Sequence, residues 1–335
     1  MAKVIGGTSI PNMPWEYRPA DCDEVVWRYS GNPILTYKDV KKANTLFNSS
    51  VVPYKGEFRG IFRVDRTDYI PFLHKGKSKD GVHWEIEDEP LQFANDIEGV
   101  PYVYGYDPRI CEIDGRYYIM WCTGTENWDN TIGMAYTDDF ETIYRMDNGF
   151  LPYNRNAVLF PRKINDKYVM FTRPCDPGFG IPGKGSIYAS ESPDLVYWGK
   201  HRLVMNPAPG WQNSKIGSGP IPIETDEGWL LIYHGVRDTC NGCCYFVGCA
   251  ILDRDNPTKV LYRTKNYIFS PRELYERVGD VDNVVFPVSA LCDADTGRIA
   301  IYYGGADTVV GIAFTTVDEL IKFTKENSSQ IAIAS

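Results

Sequence analysis

The chain has 335 residues, of which 43% are hydrophobic and 14% are aromatic, and its formal net charge at pH 7 is -9. A negative charge of this size argues against a nucleic-acid partner, because domains that follow a phosphate backbone carry a basic stripe, and the sequence shows none. No stretch approaches the roughly 18 apolar residues of a membrane span, and residues 1–19 lack the basic and apolar segments of an export signal. We therefore expect a cytoplasmic protein that binds neither membranes nor nucleic acids.

After an N-terminal extension of about 30 residues, one pattern recurs five times along the chain. Each copy has a short apolar strand, a turn with Gly, Asn or Asp, and a second strand rich in Tyr, Ile, Val and Phe. The pattern predicts five hairpins, at residues 47–65, 106–123, 156–174, 216–235 and 283–307. The predicted turns are Lys55-Gly56, Asp114-Gly115, Asn165-Asp166, Glu227-Gly228 and Thr296-Gly297.

A second kind of segment follows several of the hairpins, at residues 78–84, 137–140 and 190–198, and is typical of the outer half of a four-stranded blade. A single hairpin cannot bury its apolar face in water, so repeats of this kind stack around an axis. We therefore predict an all-β, five-bladed β-propeller that forms one domain over residues 1–335. Only residues 317–327 have helical spacing, which predicts a short C-terminal helix on the surface or at a subunit contact of a homo-oligomer.

The sequence also bears on cofactors. Its nine cysteines are an odd number in a large chain without an export signal, which favours free thiols. Cys240, Cys243 and Cys244 resemble half of a zinc knuckle, but the sequence has no second Cys-x-x-Cys and has four histidines in all. We expect no metal and no cofactor.

The beginning of the first strand and the end of the second lie at the same end of a hairpin, so a propeller gathers these positions at one mouth of its channel. The polar residues at these positions are Asn48, Ser49, Arg63, Asp65, Asp107, Arg155, Asn156, Arg173, Lys215, His234 and Asp307. Three of them are carboxylates, which can bind sugar hydroxyls or move protons.

Arg155, Arg173, Lys215 and His234 belong to the third and fourth copies, so they would converge on one side of the mouth. Such a cluster suits a compact dianion, because guanidinium groups match phosphate oxygens. Structural pairing of these four residues with acidic neighbours is the alternative.

Several motifs occur in a fixed order: Phe47-Asn48-Ser49, Tyr106-Asp107-Pro108-Arg109, Asn154-Arg155-Asn156, Phe160-Pro161-Arg162-Lys163, Tyr233-His234-Gly235 and Tyr303-Gly304-Gly305-Ala306-Asp307. From about Trp27 to Phe314, the chain resembles glycoside hydrolase family 130, the β-mannoside phosphorylases. The resemblance implies an inverting enzyme that cleaves a non-reducing β-1,4-linked mannosyl unit with inorganic phosphate and releases α-mannose 1-phosphate. It favours manno-oligosaccharides as substrates.

The resemblance also implies roles for individual residues. Asp107 matches the general acid of the family, which acts through the 3-hydroxyl of the mannose as a relay. The positions that match the phosphate site are Arg155, Asn156, Arg173, Lys215, His234 and Tyr245. The positions that match the mannose subsite are Asn48, Ser49, Arg63, Asp65 and Asp307.

The chemistry of the residues agrees with phosphorolysis. An inverting hydrolase needs a base to activate water, whereas phosphate is already anionic. One point of tension is Arg109, which follows Asp107 by two residues: a general acid normally has a raised pKa, and a nearby arginine opposes this.

Other functions remain open from the sequence. The acceptor could be glucose or N-acetylglucosamine instead of mannose, and residues 88–104 and 176–185 are the loops expected to contact it. A propeller hydrolase would need a second carboxylate opposite Asp107, for which Asp65 and Asp307 are the candidates. A non-catalytic sugar-binding propeller is the third alternative.

Overall fold

The computed structural model of the protein describes residues 2–127, 129–175, 185–240 and 242–328. Within those ranges, no helix combines the length and the apolar character that a membrane crossing requires. The strands form five antiparallel sheets, which are the blades of a propeller. The prediction of a five-bladed all-β propeller is confirmed.

The chain first forms β1 (Trp27–Arg28) and a short 3₁₀ helix (Tyr37–Asp39). Blade one contains β2 (Ala43–Tyr54), β3 (Glu57–Arg66), β4 (Pro71–Ser78) and β5 (Trp84–Ile86). Blade two contains β6 (Tyr106–Ile113), β7 (Arg116–Thr123), β8 (Thr131–Thr137) and β9 (Tyr144–Met146). Blade three contains β10 (Asn154–Leu159), β11 (Tyr168–Pro174), β12 (Ile187–Ser192) and β13 (Gly199–Met205).

Blade four contains β14 (Lys215–Ser218), β15 (Ile223–Thr225), β16 (Gly228–Thr239), β17 (Gly242–Leu252) and β18 (Val260–Arg263). A one-turn helix, α1 (Leu274–Arg277), leads to blade five, which contains β19 (Val285–Cys292), β20 (Arg298–Gly305) and β21 (Val309–Thr316). The C-terminal helix α2 (Val317–Glu326) follows directly, as the sequence predicts.

The inner hairpins turn where the sequence places Gly, Asn or Asp. In blades one and two, both central residues have positive φ angles: 50° at Lys55 and 80° at Gly56, and 53° at Asp114 and 82° at Gly115. These angles match the tight hairpin turn whose twist suits the flanking strands, and glycine adopts them without steric cost.

The outer turns repeat at the level of single hydrogen bonds. One carboxylate oxygen of Asp80 accepts from the backbone amides of Val82 and His83, at 2.9 and 2.8 Å. Asp139 and Asp194 accept in the same way from the amides two and three residues later. The predicted outer segments are therefore the turns between the third and fourth strands of blades one, two and three.

Strands from the N-terminal and C-terminal parts of the chain pair in blade five and so close the ring. β1 pairs with β21, with Trp27 opposite Phe314, and so supplies the outermost strand of that blade. Apolar side chains fill the spaces between blades: Phe62 of blade one packs in one buried cluster with Tyr302 of blade five. Because these contacts occupy the spaces between the sheets, polar residues are left at the inner strand ends around the channel.

Candidate active site

A cavity of about 450 Å³ lies where the inner strands of the blades begin. Nine of the twelve residues predicted for the site line it, namely Asn48, Arg63, Asp65, Asp107, Arg155, Asn156, Arg173, Tyr245 and Asp307. They come from all five blades. The cavity is the kind of concave site, with converging polar groups, that small ligands occupy.

The first strand of blades one, two and three carries a β-bulge at the cavity. Asn48, Asp107 and Asn156 lie in these bulges and have left-handed φ angles of 43°, 51° and 55°. Such angles are uncommon for residues other than glycine, but asparagine and aspartate tolerate them best. The bulge therefore explains why Asn or Asp stands at the equivalent position of three blades, and why each side chain is redirected into the channel.

Asp107 lies at the centre of the carboxylate side of the cavity and is 7% exposed. Its Oδ1 accepts from Asn48 Nδ2 and from Arg63 Nη1, both at 2.9 Å. Arg63 also holds Asp65 through two bonds of 2.7 and 2.8 Å. No described protein group donates to Asp107 Oδ2, so that oxygen is free to make a hydrogen bond with a ligand.

The guanidinium group of Arg109, which the sequence places two residues after Asp107, does not pair with the Asp107 carboxylate. Arg109 is buried and donates instead to the backbone oxygen of Asp107 at 2.7 Å, and to those of Gly219 and Ser218 at 3.3 and 3.4 Å. The cation that does contact the carboxylate is Arg63. Arg109 supports the backbone of the bulge.

Asp307 lines the same cavity, close enough to Arg63, Asp107 and Asp65 for their charges to act on it, and has no hydrogen bond to a described residue. Burial raises its pKa to about 7, with further increases from the charges of Asp107 and Asp65 and a decrease from Arg63. Near neutral pH, a large fraction of Asp307 is therefore protonated and able to donate a hydrogen bond to a sugar hydroxyl.

The cationic side of the cavity is formed by blades three and four. Arg155 and Lys215 make no ion pair or side-chain hydrogen bond with the described residues, and Arg173 makes no ion pair with them. Burial, together with the positive charge of Arg173, lowers the pKa of Lys215. Cations that converge without a carboxylate partner are what an anion site requires.

His234 differs from the sequence interpretation, which counted it among four basic groups. It is fully buried, and burial, together with Arg173, Arg109 and Lys215, lowers its pKa well below the usual value. Arginine can only donate, so the 2.9 Å contact from Arg173 Nη1 makes His234 Nε2 the acceptor. His234 is therefore neutral, and it orients Arg173 without adding a charge.

Gly217 makes room for the side chains of His234 and Asn156. A Cβ atom at Gly217 would lie 2.5 Å from the His234 ring and 2.9 Å from Asn156 Oδ1. These distances are shorter than side chains tolerate, so glycine at this position lets both groups approach the β14 backbone.

Three predicted residues do not line the cavity: Ser49, Lys215 and His234. Ser49 is buried, and its hydroxyl donates to the backbone oxygen of Phe47 at 3.2 Å. The cavity wall also contains residues that the sequence interpretation missed, namely Tyr69, Pro71, Tyr106, Asn130 and Phe286. Tyr106 and Phe286 stand at the beginning of inner strands, and a search that included aromatic as well as polar residues at these positions would have found them.

The described residues contain no cluster of three or more His, Cys, Asp or Glu side chains arranged to hold a metal ion. All nine cysteines are free. The segment 176–184, which includes most of the second predicted acceptor loop, lies outside the described residues.

Comparison with known proteins gives a consistent result. Residues 8–326 match the model of the glycoside hydrolase 130 family, described as beta-1,4-mannooligosaccharide phosphorylase. The chain is 53% identical to the beta-1,4-mannooligosaccharide phosphorylase of Ruminococcus albus, over 98% of this chain and 99% of that protein. It is 28% identical to the 4-O-beta-D-mannosyl-D-glucose phosphorylase of Bacteroides fragilis, over 89% of this chain and 80% of that protein.

Among solved structures, the chain is similar to beta-1,2-mannobiose phosphorylase from Listeria innocua in complex with beta-1,2-mannobiose. The TM-score is 0.79 at 28% identity, covering 90% of this chain and 99% of that one. The match to the family model covers nearly the whole chain, and the bulges, the carboxylates and the cations lie within it. The chain belongs to glycoside hydrolase family 130.

Proposed function

We propose that the protein is an inverting phosphorylase that cleaves the non-reducing β-1,4-linked mannosyl unit of manno-oligosaccharides with inorganic phosphate. The products are α-mannose 1-phosphate and the shortened oligosaccharide, and the reaction is reversible. The observation that carries the proposal is the division of one cavity into a carboxylate side, on blades one, two and five, and a side of uncompensated cations, on blades three and four.

Phosphate binds on the cationic side. Arg155 and Arg173 on the cavity wall supply the positive charge, and Asn156 and Tyr245 supply neutral hydrogen-bonding groups on the same wall. Lys215 does not line the cavity but adds its charge nearby, with its Nζ 5.8 Å from the centre of the Tyr245 ring. The guanidinium groups offer paired N–H donors that fit phosphate oxygens. Because the site is largely buried, two arginines and a nearby lysine hold the anion more strongly than the same groups would in water.

The mannosyl unit binds on the carboxylate side, between Asn48, Arg63, Asp65 and Asp307. A phosphate oxygen attacks C1 of this sugar while the bond from C1 to the glycosidic oxygen breaks. Asp107 Oδ2 gives its proton to the 3-hydroxyl of the mannose, and that hydroxyl passes its own proton to the leaving oxygen. The configuration at C1 inverts because attack and departure occur on opposite faces.

The geometry favours phosphate over water as the nucleophile. Hydrolysis with inversion needs a carboxylate base beside the attacking water. Both oxygens of Asp65 are held by Arg63, and the raised pKa of Asp307, about 7, keeps a large fraction of it protonated near neutral pH, so neither suits that role. The relationship to the Ruminococcus albus enzyme supports mannose as the acceptor sugar. The cytoplasmic location and the homo-oligomeric state stay predictions.

The test is to incubate the purified protein with β-1,4-mannobiose in the presence and absence of inorganic phosphate and to follow products by ¹H and ³¹P NMR. We expect α-mannose 1-phosphate and mannose in equal amounts, with no cleavage when phosphate is left out. Release of free mannose without phosphate would instead establish the hydrolase alternative. Replacing the substrate with mannosyl-glucose and mannosyl-N-acetylglucosamine compares the acceptors directly.

A further inference from the structure

A second cavity, of about 390 Å³, lies on the outer part of blade two. We name it the blade-two groove. It is lined by three connecting loops: residues 99–101 between β5 and β6, residues 124, 125 and 129 between β7 and β8, and residues 147–152 between β9 and β10. Each loop joins strand ends at the channel mouth, so the groove opens on the same face as the active site.

The groove and the active-site cavity share a wall at Asn130. Asn130 lines the active-site cavity, whereas its neighbours Asp129 and Thr131 line the groove. The side-chain oxygen of Asn130 accepts from the hydroxyls of Tyr106 and Tyr104, at 2.8 and 3.2 Å. A ligand that leaves the active site over this wall enters the groove.

The position of the acid indicates that the oligosaccharide takes this direction. The leaving oxygen must be within reach of the 3-hydroxyl that Asp107 of blade two protonates, and it must depart from the face of the sugar ring opposite the phosphate. The released sugar chain therefore extends from the Asp107 side of the cavity. The groove lies along that path, and the path includes part of the predicted acceptor loop at residues 88–104.

The groove has the surface chemistry of a sugar site. Asp147 is exposed and has no hydrogen bond to a described residue, so its carboxylate is available to accept from a ligand. Leu151 is 84% exposed, and Phe150 adds aromatic surface beside it. Hydrogen-bond acceptors next to apolar surface match the hydroxyl groups and the C–H faces of a pyranose ring.

The loops of the groove are held in place by the blade beneath them. The Thr131 hydroxyl donates to the backbone oxygen of Phe150, and the Gly149 amide donates to the backbone oxygen of Ile132 at 3.1 Å. The Asp129 carboxylate accepts from the Thr125 amide at 2.7 Å. A groove that is formed before binding loses less entropy when a flexible oligosaccharide enters it.

We propose that the blade-two groove binds the second and third sugar units on the reducing side of the scissile bond, an inference that rests on the proposed phosphorylase function. Mannobiose ends at the first unit beyond that bond, so it does not reach the groove. Mannotriose and mannotetraose do. Binding energy from these remote units then increases the rate at which longer substrates are used.

The experiment compares kcat/KM for β-1,4-mannobiose, mannotriose and mannotetraose at fixed phosphate. The test variant is Asp147→Ala with Leu151→Ser. The matched control is Glu141→Ala with Val196→Ser, which removes one carboxylate and one exposed aliphatic side chain from turns on the opposite face of the propeller. Equal melting temperatures for the three proteins show that the fold is intact.

In the parent and the control, we expect kcat/KM to be higher for mannotriose than for mannobiose. In the groove variant, the ratio of the two values should fall at least fivefold. The inference is overturned if the ratio stays at the parental value, if all three substrates slow by the same factor, or if the parent uses mannotriose no better than mannobiose. A parent that forms no mannose 1-phosphate from any of them contradicts the proposed function itself, which separates the two failures.

Discussion

At the residue scale, Arg63 determines how three carboxylates share one cavity. Its guanidinium group binds Asp65 through two hydrogen bonds and Asp107 through one, and lies 4.0 Å above the Phe47 ring. One arginine thus contacts two of the carboxylates directly. The third, Asp307, lines the same cavity without a hydrogen bond to a described residue, and burial is the main cause that raises its pKa to about 7.

The first prediction concerns Asp107 as the proton donor. Replacement by asparagine keeps the shape and the hydrogen bond from Arg63 but removes the acidic proton, so kcat for mannobiose phosphorolysis should fall at least about a hundredfold. The affinity for mannobiose, measured by calorimetry without phosphate, should stay close to that of the parent. A variant that turns over within a few-fold of the parent would show that the acid is another residue.

The second prediction concerns Asp307 and pH. Its pKa is raised in the folded protein to about 7, so the unfolded state binds fewer protons than the folded state between about pH 4 and 7, and stability is lost as pH rises through this range. Asparagine cannot ionise, so Asp307→Asn should remove this loss. The melting temperature of the variant relative to the parent should increase from pH 5.5 to pH 8.

The control for this measurement is Glu141→Gln, which changes a carboxylate in an exposed turn. Its melting temperature relative to the parent should not vary with pH in the same way. A constant difference between Asp307→Asn and the parent across the range would mean that Asp307 titrates normally in the fold.

At the scale of elements, the proposed phosphate site depends on strands of blades three and four that contribute one side chain each. Arg155 is on β10, Arg173 on β11, Lys215 on β14 and Tyr245 on β17. Arg155 and Arg173 are direct partners in the β10–β11 register, and their side chains reach the same cavity. The bulge after Arg155 makes this possible, because it changes the direction of the strand next to the cavity.

The third prediction tests this arrangement through Arg155, whose guanidinium group makes no hydrogen bond or ion pair with a described residue. Arg155→Ala should raise the KM for phosphate more than about tenfold, equivalent to roughly 1.4 kcal/mol, because one charge-assisted contact with the anion is lost. Mannobiose affinity without phosphate should change little. The same measurements on Arg173→Ala provide a second case.

The opposite pattern is informative as well. If Arg155→Ala weakens mannobiose binding but leaves the phosphate KM at the parental value, the residue holds the sugar. The phosphate site would then not lie on blades three and four.

At the scale of the whole molecule, the propeller is closed by an N-terminal strand that completes the last blade. Arg28 of β1 donates to the fully buried carboxylate of Glu276, at 2.8 and 2.7 Å. Tyr303 donates to the same carboxylate at 2.8 Å. This network connects β1 to α1 and β20, so the two ends of the ring are joined by a buried ion pair as well as by strand pairing.

The fourth prediction concerns this closure. Arg28→Met leaves Glu276 as a buried charge without its cation, and should lower the free energy of unfolding by about 3 to 5 kcal/mol. Chemical denaturation measures the change. Adding Glu276→Gln to Arg28→Met should recover part of the loss, since it removes the charge; two losses that simply add would show that the pair does not interact.

The sequence alone was sufficient to identify the blades, because the evidence for them is local. Strand alternation and turn residues lie within about twenty residues of one another, and such signals survive in a single chain. The same local rule, that strand beginnings and ends meet at one mouth, predicted eight of the residues that line the cavity, and the family resemblance added Tyr245. Ser49 has such a strand-end position, but its hydroxyl bonds to the backbone of Phe47, so the position alone does not specify the direction of a side chain.

Only the tertiary structure determines the contacts and the charge interactions between residues of different blades. Arg63 meets Asp107 across 44 residues of sequence, and Arg173 meets His234 across 61. The neutral state of His234, the raised pKa of Asp307 and the backbone role of Arg109 all follow from burial and from neighbours on other blades. Burial depends on how five sheets pack around one axis, and a pKa depends on the charges that this packing brings together. The local sequence therefore determines the blades, while the protonation states in the channel are properties of the assembled ring.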